Sequence, residues 1–422
     1  MAKKRAVVTI SALNYGGRVA VLSKSFQKEN ADIPFFYFVL DYDFQENPSK
    51  LKRPEANCIA LKDLDLFCKS QSPNFSLMNM LFPYDIMEAS TAVKPFVLSM
   101  MFEKYGFDEV LFLDPDIAVY DRLDSIWEHF DDANILLTPH LIKLSRLDLS
   151  LASERSILKS GTYNLGFLGL KCSDVVTSFL KWWGQRLVRH CTREAHLGLF
   201  TDQKWVDILA GAEASVRVLR DPGLNVAHWN IHERAITKDA KGKYIVNGVP
   251  LKFFHFSGYN LDQAENLTKY IPHLKIENLG VGEELVRDYD KALQENNTRQ
   301  LESFRYGLDF FSNGIPIGQY LKKWARVEGR LDPFKNVFDV YEENSFFNSL
   351  FKSSPNKLCL FAEILLNDRD DLKINFSKNS PNDIYRFMEW IVKTGIKDYR
   401  LDPKTSRILT QKFSGMVNPY GT

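Results

Sequence analysis

The chain has 422 residues, of which 45% are hydrophobic, 25% charged and 13% aromatic, the composition of a folded protein with a sizeable core rather than a disordered or fibrous one. Its 54 Lys and Arg against 53 Asp and Glu create no global field for nucleic acid or an anionic membrane, so any polyanion must be held by a local cluster. Five scattered cysteines without a C-x-x-C pair exclude common zinc and redox motifs and suit a reducing compartment.

No run approaches the roughly 20 apolar residues of a membrane span. The expectation is a cytoplasmic protein, free or held peripherally at the inner face of the membrane. At roughly 150 residues per domain, the length fits one large α/β domain with an appendage.

Taken in chain order, residues 6–10 are a short apolar run ending at Ile10, followed by Asn14-Tyr15-Gly16-Gly17 and helical spacing over 19–27. A second apolar run, 35–40, is followed by Asp41-Tyr42-Asp43. Helical spacing over 92–105 then leads to an apolar strand at 110–113, which ends in Asp114-Pro115-Asp116. Strands alternating with helices predict a parallel sheet covered on both faces, whose ligands sit beyond the carboxyl ends of the strands. The three polar loops should therefore converge on one edge.

Residues 135–137 and 167–170 read as further strands and 175–188 as a helix. From about 281 the texture changes, and the charged stretch 283–299 is the expected boundary between a catalytic domain, 1–282, and a helical C-terminal region, 283–422. Within the latter, 317–327, 337–351, 358–366 and 383–392 carry helix-like spacing, punctuated by Pro316, Pro333, Pro355 and Pro381.

Asp114 and Asp116 stand where a buried strand ends. In an extended chain, residues i and i+2 point the same way, so both carboxylates can address one hard cation. Mg²⁺ or Mn²⁺ there would hold a diphosphate, because both ions prefer carboxylate and phosphate oxygens. A bare D-x-D is also ordinary loop chemistry. The second cluster, Lys252-Phe253-Phe254-His255-Phe256-Ser257-Gly258-Tyr259, reads as a strand with His255 on one side and Gly258 in the following turn. A neutral imidazole can complete an octahedral site, and a turn glycine lets N–H groups approach phosphate. The segment 225–234, Asn-Val-Ala-His-Trp-Asn-Ile-His-Glu-Arg, is dense in polar and aromatic groups and could line the acceptor or sugar pocket, with Trp229 offering an apolar face to a sugar ring. Metal binding by His228 and His232 at i, i+4 is the rival idea, although Asn230 and Glu233 complete no known zinc pattern.

With these motifs in this order, the sequence resembles retaining glycosyltransferases of the GT-A fold, close to glycosyltransferase family 8, over roughly its first 280 residues. The resemblance implies a Rossmann-like α/β domain that binds a nucleoside-diphosphate sugar, with Asp114, Asp116 and His255 as ligands of Mn²⁺ or Mg²⁺. It places Ile10, Asn14, Tyr15, Lys94, Asp114, Pro115, Asn164, Gly166, His228 and Gly258 at the donor, and Asp202 with Gln203 at the transferred sugar. Two departures stand out. Ala12 and Leu13 occupy the place of an acidic residue that helps to read uracil, so UDP as the carrier is open. Tyr259-Asn260-Leu261-Asp262 replaces a segment that supplies a phosphate-binding lysine, leaving Lys94 or Arg234 to neutralise that charge.

The implied activity is metal-assisted transfer of a sugar, with retention, to a glycan or glycolipid acceptor in bacterial surface polysaccharide synthesis, without nucleic acid as a partner. A sugar nucleotidyltransferase, for which Gly16-Gly17-Arg18 would be a faint basic loop, and a catalytically silent sugar-nucleotide-binding or glycan-binding module are the rival readings.

Overall fold

The structure, a computed structural model, describes residues 3–41, 56–144, 151–328, 331–352 and 357–413. It comprises two compact units, one formed by Met1–Gln71 with Ile86–Tyr306 and the other by Ser72–Asp85 with Gly307–Thr422. Asp43 and Tyr42 of the second polar loop lie outside the described residues.

The first unit is α/β. Its sheet is built from β1 (Arg5–Ser11), β2 (Phe35–Val39), β3 (Asn57–Ala60), β4 (Glu109–Leu113), β6 (Ile135–Pro139), β7 (Tyr163–Lys171) and β8 (Val216–Val218), in the order β3-β2-β1-β4-β7-β6-β8. Only β7 runs against the others. Val8 of β1 pairs with both Phe36 and Phe112. The central strands are buried on both faces, which is why they read as continuous apolar runs and not as alternating ones.

The strand order reverses between β1 and β4, and that switch point is where an open α/β sheet forms a ligand crevice. It lies between Asn14-Tyr15 and Asp114-Pro115-Asp116. Strand β5 (Ile117–Val119) leaves the sheet and pairs antiparallel with β12 (Phe253–His255), setting Ile117 opposite His255. A small meander, β9 (Ile236–Lys238), β10 (Tyr244–Val246) and β11 (Val249–Pro250), turns at Asn247-Gly248, both with positive φ (49° and 89°), as a two-residue hairpin requires.

Helix α1 (Gly16–Glu29) buries Val19, Leu22 and Phe26, and α2 (Lys94–Glu103) begins at the buried Lys94. The stretch 283–299, expected as a domain boundary, is not a linker. Helix α3 (Val281–Glu295) buries Leu285, Val286, Tyr289 and Leu293 in the first unit's core. A short helix α4 (Thr298–Glu302) follows, and a Cβ on Gly17 would lie 2.2 Å from Thr298 Oγ1. The charged residues that suggested a linker form the solvated face of an amphipathic helix.

The second unit is helical, with Gln319–Glu328, Phe346–Phe351, Leu360–Asp368, Pro381–Trp390 and Pro403–Phe413 among its helices. The helix expected over 337–351 is confined to Phe346–Phe351, whose start is set by Ser345 Oγ accepting from Asn348 N at 3.2 Å. Phe82 packs edge-on against Phe346 at 5.3 Å in its aromatic core.

Candidate metal and donor site

Beyond β4, the Asp114 N–H donates to Gly166 O (2.8 Å) and the Ile117 N–H to Asp114 O (3.1 Å), closing a tight turn around the buried Pro115. The two carboxylates thus converge through a turn, not through the extended i, i+2 geometry expected from sequence. Pairing of β5 with β12 brings His255 Nε2 to 3.0 Å from Asp116 Oδ1 and 3.8 Å from Asp114 Oδ2. One ligand atom from each of the three residues lies within 4.8 Å of the others.

The donor set fits a hard divalent cation, and the orientation of the imidazole fits it more tightly. His255 Nδ1–H donates to Asn225 Oδ1 (3.2 Å), which leaves Nε2 facing the carboxylates as the ligand nitrogen. Asn225 is itself locked, fully buried with φ 49°, and its Nδ2 donates to Thr138 Oγ1 (2.8 Å) and Asn164 Oδ1 (3.1 Å). Gly166 is required by the same packing, since a Cβ there would fall 2.4 Å from His255 Cε1. The resemblance placed this glycine at the donor; its close neighbour in the structure is the histidine ring.

The remaining members of the network are engaged within the protein. Asn164 Oδ1 accepts from the Gly166 N–H (3.0 Å). Gln203 Oε1 accepts from the Leu165 N–H (3.0 Å), and its Nε2 donates to Ser160 O (3.0 Å). Lys94, 3% exposed, places Nζ 2.8 Å from Asp202 Oδ2, 3.8 Å from Asp114 Oδ1 and 2.9 Å from Leu165 O. It therefore orients carboxylates. Asp202 follows Thr201, a β-branched residue held at φ 46°, a conformation that persists only when its surroundings enforce it. The Thr201 N–H donates to Thr192 O (2.9 Å) and Trp183 Nε1–H to Asp202 O (3.1 Å), clamping this strained turn.

Burial, only partly offset by Lys94 and His255, pushes the Asp114 carboxyl up to about 6. Burial would also raise Asp116, but the charge and hydrogen bond of His255 and the charge of Arg18 hold it below the usual carboxylate range. Burial pulls against the His255 imidazolium, yet Asp116 and Asp114 hold its pKa above the ordinary value. These shifts favour an imidazolium–carboxylate pair, and His255 would have to give up its Nε2 proton to serve as a ligand.

On the β1 side, Ile10 is buried within the strand and Asn14 and Tyr15 form a short 3-10 turn, with Asn14 Oδ1 buried and unpartnered. The Leu13 N–H donates to Asp41, which brings a carboxylate to this loop from the end of β2. Arg18, 5% exposed, stacks 4.6 Å over the Tyr15 ring, donates to Tyr259 O at 3.3 Å and pairs with Glu302. Gly258 turns at φ 73°, and a Cβ on it would lie 2.5 Å from Tyr270.

His228 and Trp229 sit beside His255, with the Trp229 and His255 rings 5.2 Å apart. Arg234 is buried, and the charges acting on it are Glu233 and Asp221, not the triad. Sequence reasoning missed Asn225 and Thr138, which brace His255, and His140, whose ring lies 3.4 Å from Asn164 Nδ2 and edge-on to Trp229 at 5.3 Å, and did not place Arg18 at the site. Asn225 had one available signal, its position at the head of the polar 225–234 segment.

No protein-family model matches the chain. It is 26% identical over 245 residues to YfnF, an uncharacterized protein of Bacillus subtilis (strain 168), covering 58% of this chain and 78% of that protein. It is 30% identical over 106 residues to YfnD, another uncharacterized protein of that organism, covering 24% of this chain and 33% of that protein. Similar solved structures include mouse xyloside xylosyltransferase 1 (13% identity, 60% of this chain and 97% of that chain, TM-score 0.37) and the galactosyltransferase LgtC bound to donor and acceptor sugar analogs (18%, 60% and 86%, TM-score 0.37). At such low TM-scores these likenesses carry no weight beside the site itself. Among the described residues, no helix is long and apolar enough to cross a membrane.

Proposed function

We infer that the chain is a glycosyltransferase of the GT-A type, resembling family 8, which moves a sugar from a nucleoside-diphosphate donor to a glycan or glycolipid acceptor with retention. The observation that carries this reading is the convergence of Asp114, Asp116 and His255 at the switch point of the sheet, with Nε2 fixed as a ligand by Asn225. A divalent cation there, Mn²⁺ or Mg²⁺, would supply Lewis-acid stabilisation of the departing diphosphate.

The chain's own residues do the rest. Asn14 and Tyr15 border the nucleotide, and Asp202, held by Lys94, presents a negative face to the sugar as positive charge develops at its anomeric carbon. Gln203 and Asn164 brace that face. Lys94 is tied to the fully buried Asp202, whereas the Glu302 partner of Arg18 is 37% exposed and can be left to water, so Arg18 is the cation we place against the diphosphate; its charge already bears on Asp116. In retaining transfer of this type the departing phosphate takes the acceptor's hydroxyl proton, so no separate base is assigned. A role in bacterial surface polysaccharide synthesis, at the cytoplasmic face of the membrane, belongs to the same proposal.

The nucleotidyltransferase reading loses its sequence support. Gly16 and Gly17 are buried at the start of α1, and Gly17 is small because Thr298 packs against it. The test is incubation with Mn²⁺ and a panel of nucleotide sugars while nucleoside diphosphate release is followed. One donor should give release, and Asp116→Ala should abolish it. Pyrophosphate as the product would instead favour the nucleotidyltransferase, and no turnover of any donor would favour the silent module.

A further inference from the structure

Most polar groups around the triad are engaged, and two exceptions lie side by side. Trp229 is 9% exposed, and its buried Nε1–H meets no acceptor; Nδ1 of His228 is buried and also has no partner. The two rings lie 5.0 Å apart, edge to face. Trp229 is equally edge-on to the ligand His255 at 5.2 Å, and His228 lies 5.8 Å from Tyr270. Leaving a buried hydrogen-bonding group unpaired is costly, so two in adjacent residues beside the triad call for a common explanation.

The chemistry of the pair narrows what it can bind. Burial holds the His228 imidazole neutral, and in the tautomer protonated at Nε2 its unpartnered Nδ1 presents a lone pair. Indole Nε1 can only donate. One donor beside one acceptor complements a hydroxyl group, which both gives and takes a hydrogen bond. A phosphate or carboxylate oxygen would satisfy the indole but oppose the lone pair, and an ammonium group would do the reverse.

We propose that His228 and Trp229 form a subsite that reads one sugar hydroxyl, which accepts from Trp229 Nε1–H and donates to His228 Nδ1. This rests on the nucleotide-sugar reading above and adds the groups that select the sugar. The hydroxyl belongs to the donor sugar or to the acceptor, and the experiment separates the two.

The chain has seven tryptophans, so ¹⁵N-labelled protein gives at most seven indole N–H signals, and Trp229→Phe identifies one by its loss. Mg²⁺ with UDP, GDP or dTDP should shift backbone amides near Asp116 and leave the Trp229 indole signal in place. The matching nucleotide hexose should then shift that signal when the hydroxyl is the donor's. A panel of methyl glycosides, added to the nucleotide complex, should shift it when the hydroxyl is the acceptor's. In turnover, Trp229→Phe and His228→Phe should each lower kcat/KM by about 10- to 100-fold, while His228→Asn, whose Oδ1 still accepts, should lose less. On the deoxy sugar lacking the hydroxyl, wild type and variants should converge. If a nucleoside diphosphate binds and neither sugar probe moves the Trp229 signal, the hydroxyl subsite is overturned and the donor reading stands. If no nucleotide binds with Mg²⁺, both fall.

Discussion

The two flanks of the Asp114–Asp116–His255 triad differ in how completely their polar groups are matched. On the side of β7, Asn164, Gln203 and Asn225 bond to one another and to the backbone, and Asp202 Oδ2, without a hydrogen bond of good geometry, is neutralised by the Lys94 ion pair at 2.8 Å. On the side of the first loop and the 225–234 segment, Asn14 Oδ1, His228 Nδ1 and Trp229 Nε1 are buried and unmatched. A buried network that is fully matched fixes geometry, whereas unmatched groups are tolerated where a ligand will meet them. Under the proposed function, the first flank would position the cation and the second would receive substrate.

That contrast can be broken by variants, beginning with the largest expected effect. Asp116→Ala should lower nucleoside diphosphate release by more than about 1,000-fold, because it removes a ligand and the partner of His255 together. Steady-state assay at saturating Mn²⁺ checks this, and a loss below tenfold would remove Asp116 from the ligand set.

Lys94→Met should destabilise the fold by roughly 3–5 kcal/mol in urea denaturation, since it strands the buried Asp202 carboxylate. The second unit offers a comparison in Lys322, also buried, whose Nζ donates to Tyr84 O at 2.9 Å and pairs with Asp309. The Asp309 side chain is 43% exposed against 3% for Asp202, so water can rescue it when Lys322→Met is made. The smaller loss is expected there, with Mn²⁺ affinity unchanged.

Gly166→Ala should weaken Mn²⁺ binding by about 10- to 100-fold, since the added methyl displaces His255, while circular dichroism stays native. Unchanged affinity would show that the ring's packing against Gly166 does not set its orientation.

The smallest effect is one of pH. Burial pushes His140 down to about 4, from an ordinary value of 6.5, so it folds as neutral imidazole. The unfolded chain then binds the extra proton between those values, and stability from this residue is complete above 6.5 and lost as pH falls towards 4. Asp114, raised to about 6, acts in the opposite sense, so wild type is compared with His140→Phe. The variant should lose about 1 kcal/mol less between pH 6 and pH 5. Parallel pH profiles would contradict the buried neutral histidine.

The strands at 35–39 and 109–113 and the helices at 16–29 and 174–187 were legible because local apolar patterning and burial agree there. The triad was legible as residue types in order, but its geometry was not, because it depends on β5 pairing with β12, a contact between residues far apart in the chain. Lys94 shows the limit of motif reading: a basic residue in the expected place serves carboxylates, while Arg18, hidden in what looked like a glycine-rich loop, is the cation whose charge bears on Asp116. The 283–299 stretch misled for a related reason, since the exposed face of an amphipathic helix and a charged linker share a composition.

The most direct test is Mn²⁺ titration followed by electron paramagnetic resonance, on wild type and Asp116→Ala, with and without a nucleoside diphosphate. The account predicts one bound ion in wild type, tighter with the nucleotide present, and no bound ion in the variant at the same concentrations. Equal Mn²⁺ binding by the two proteins would contradict it.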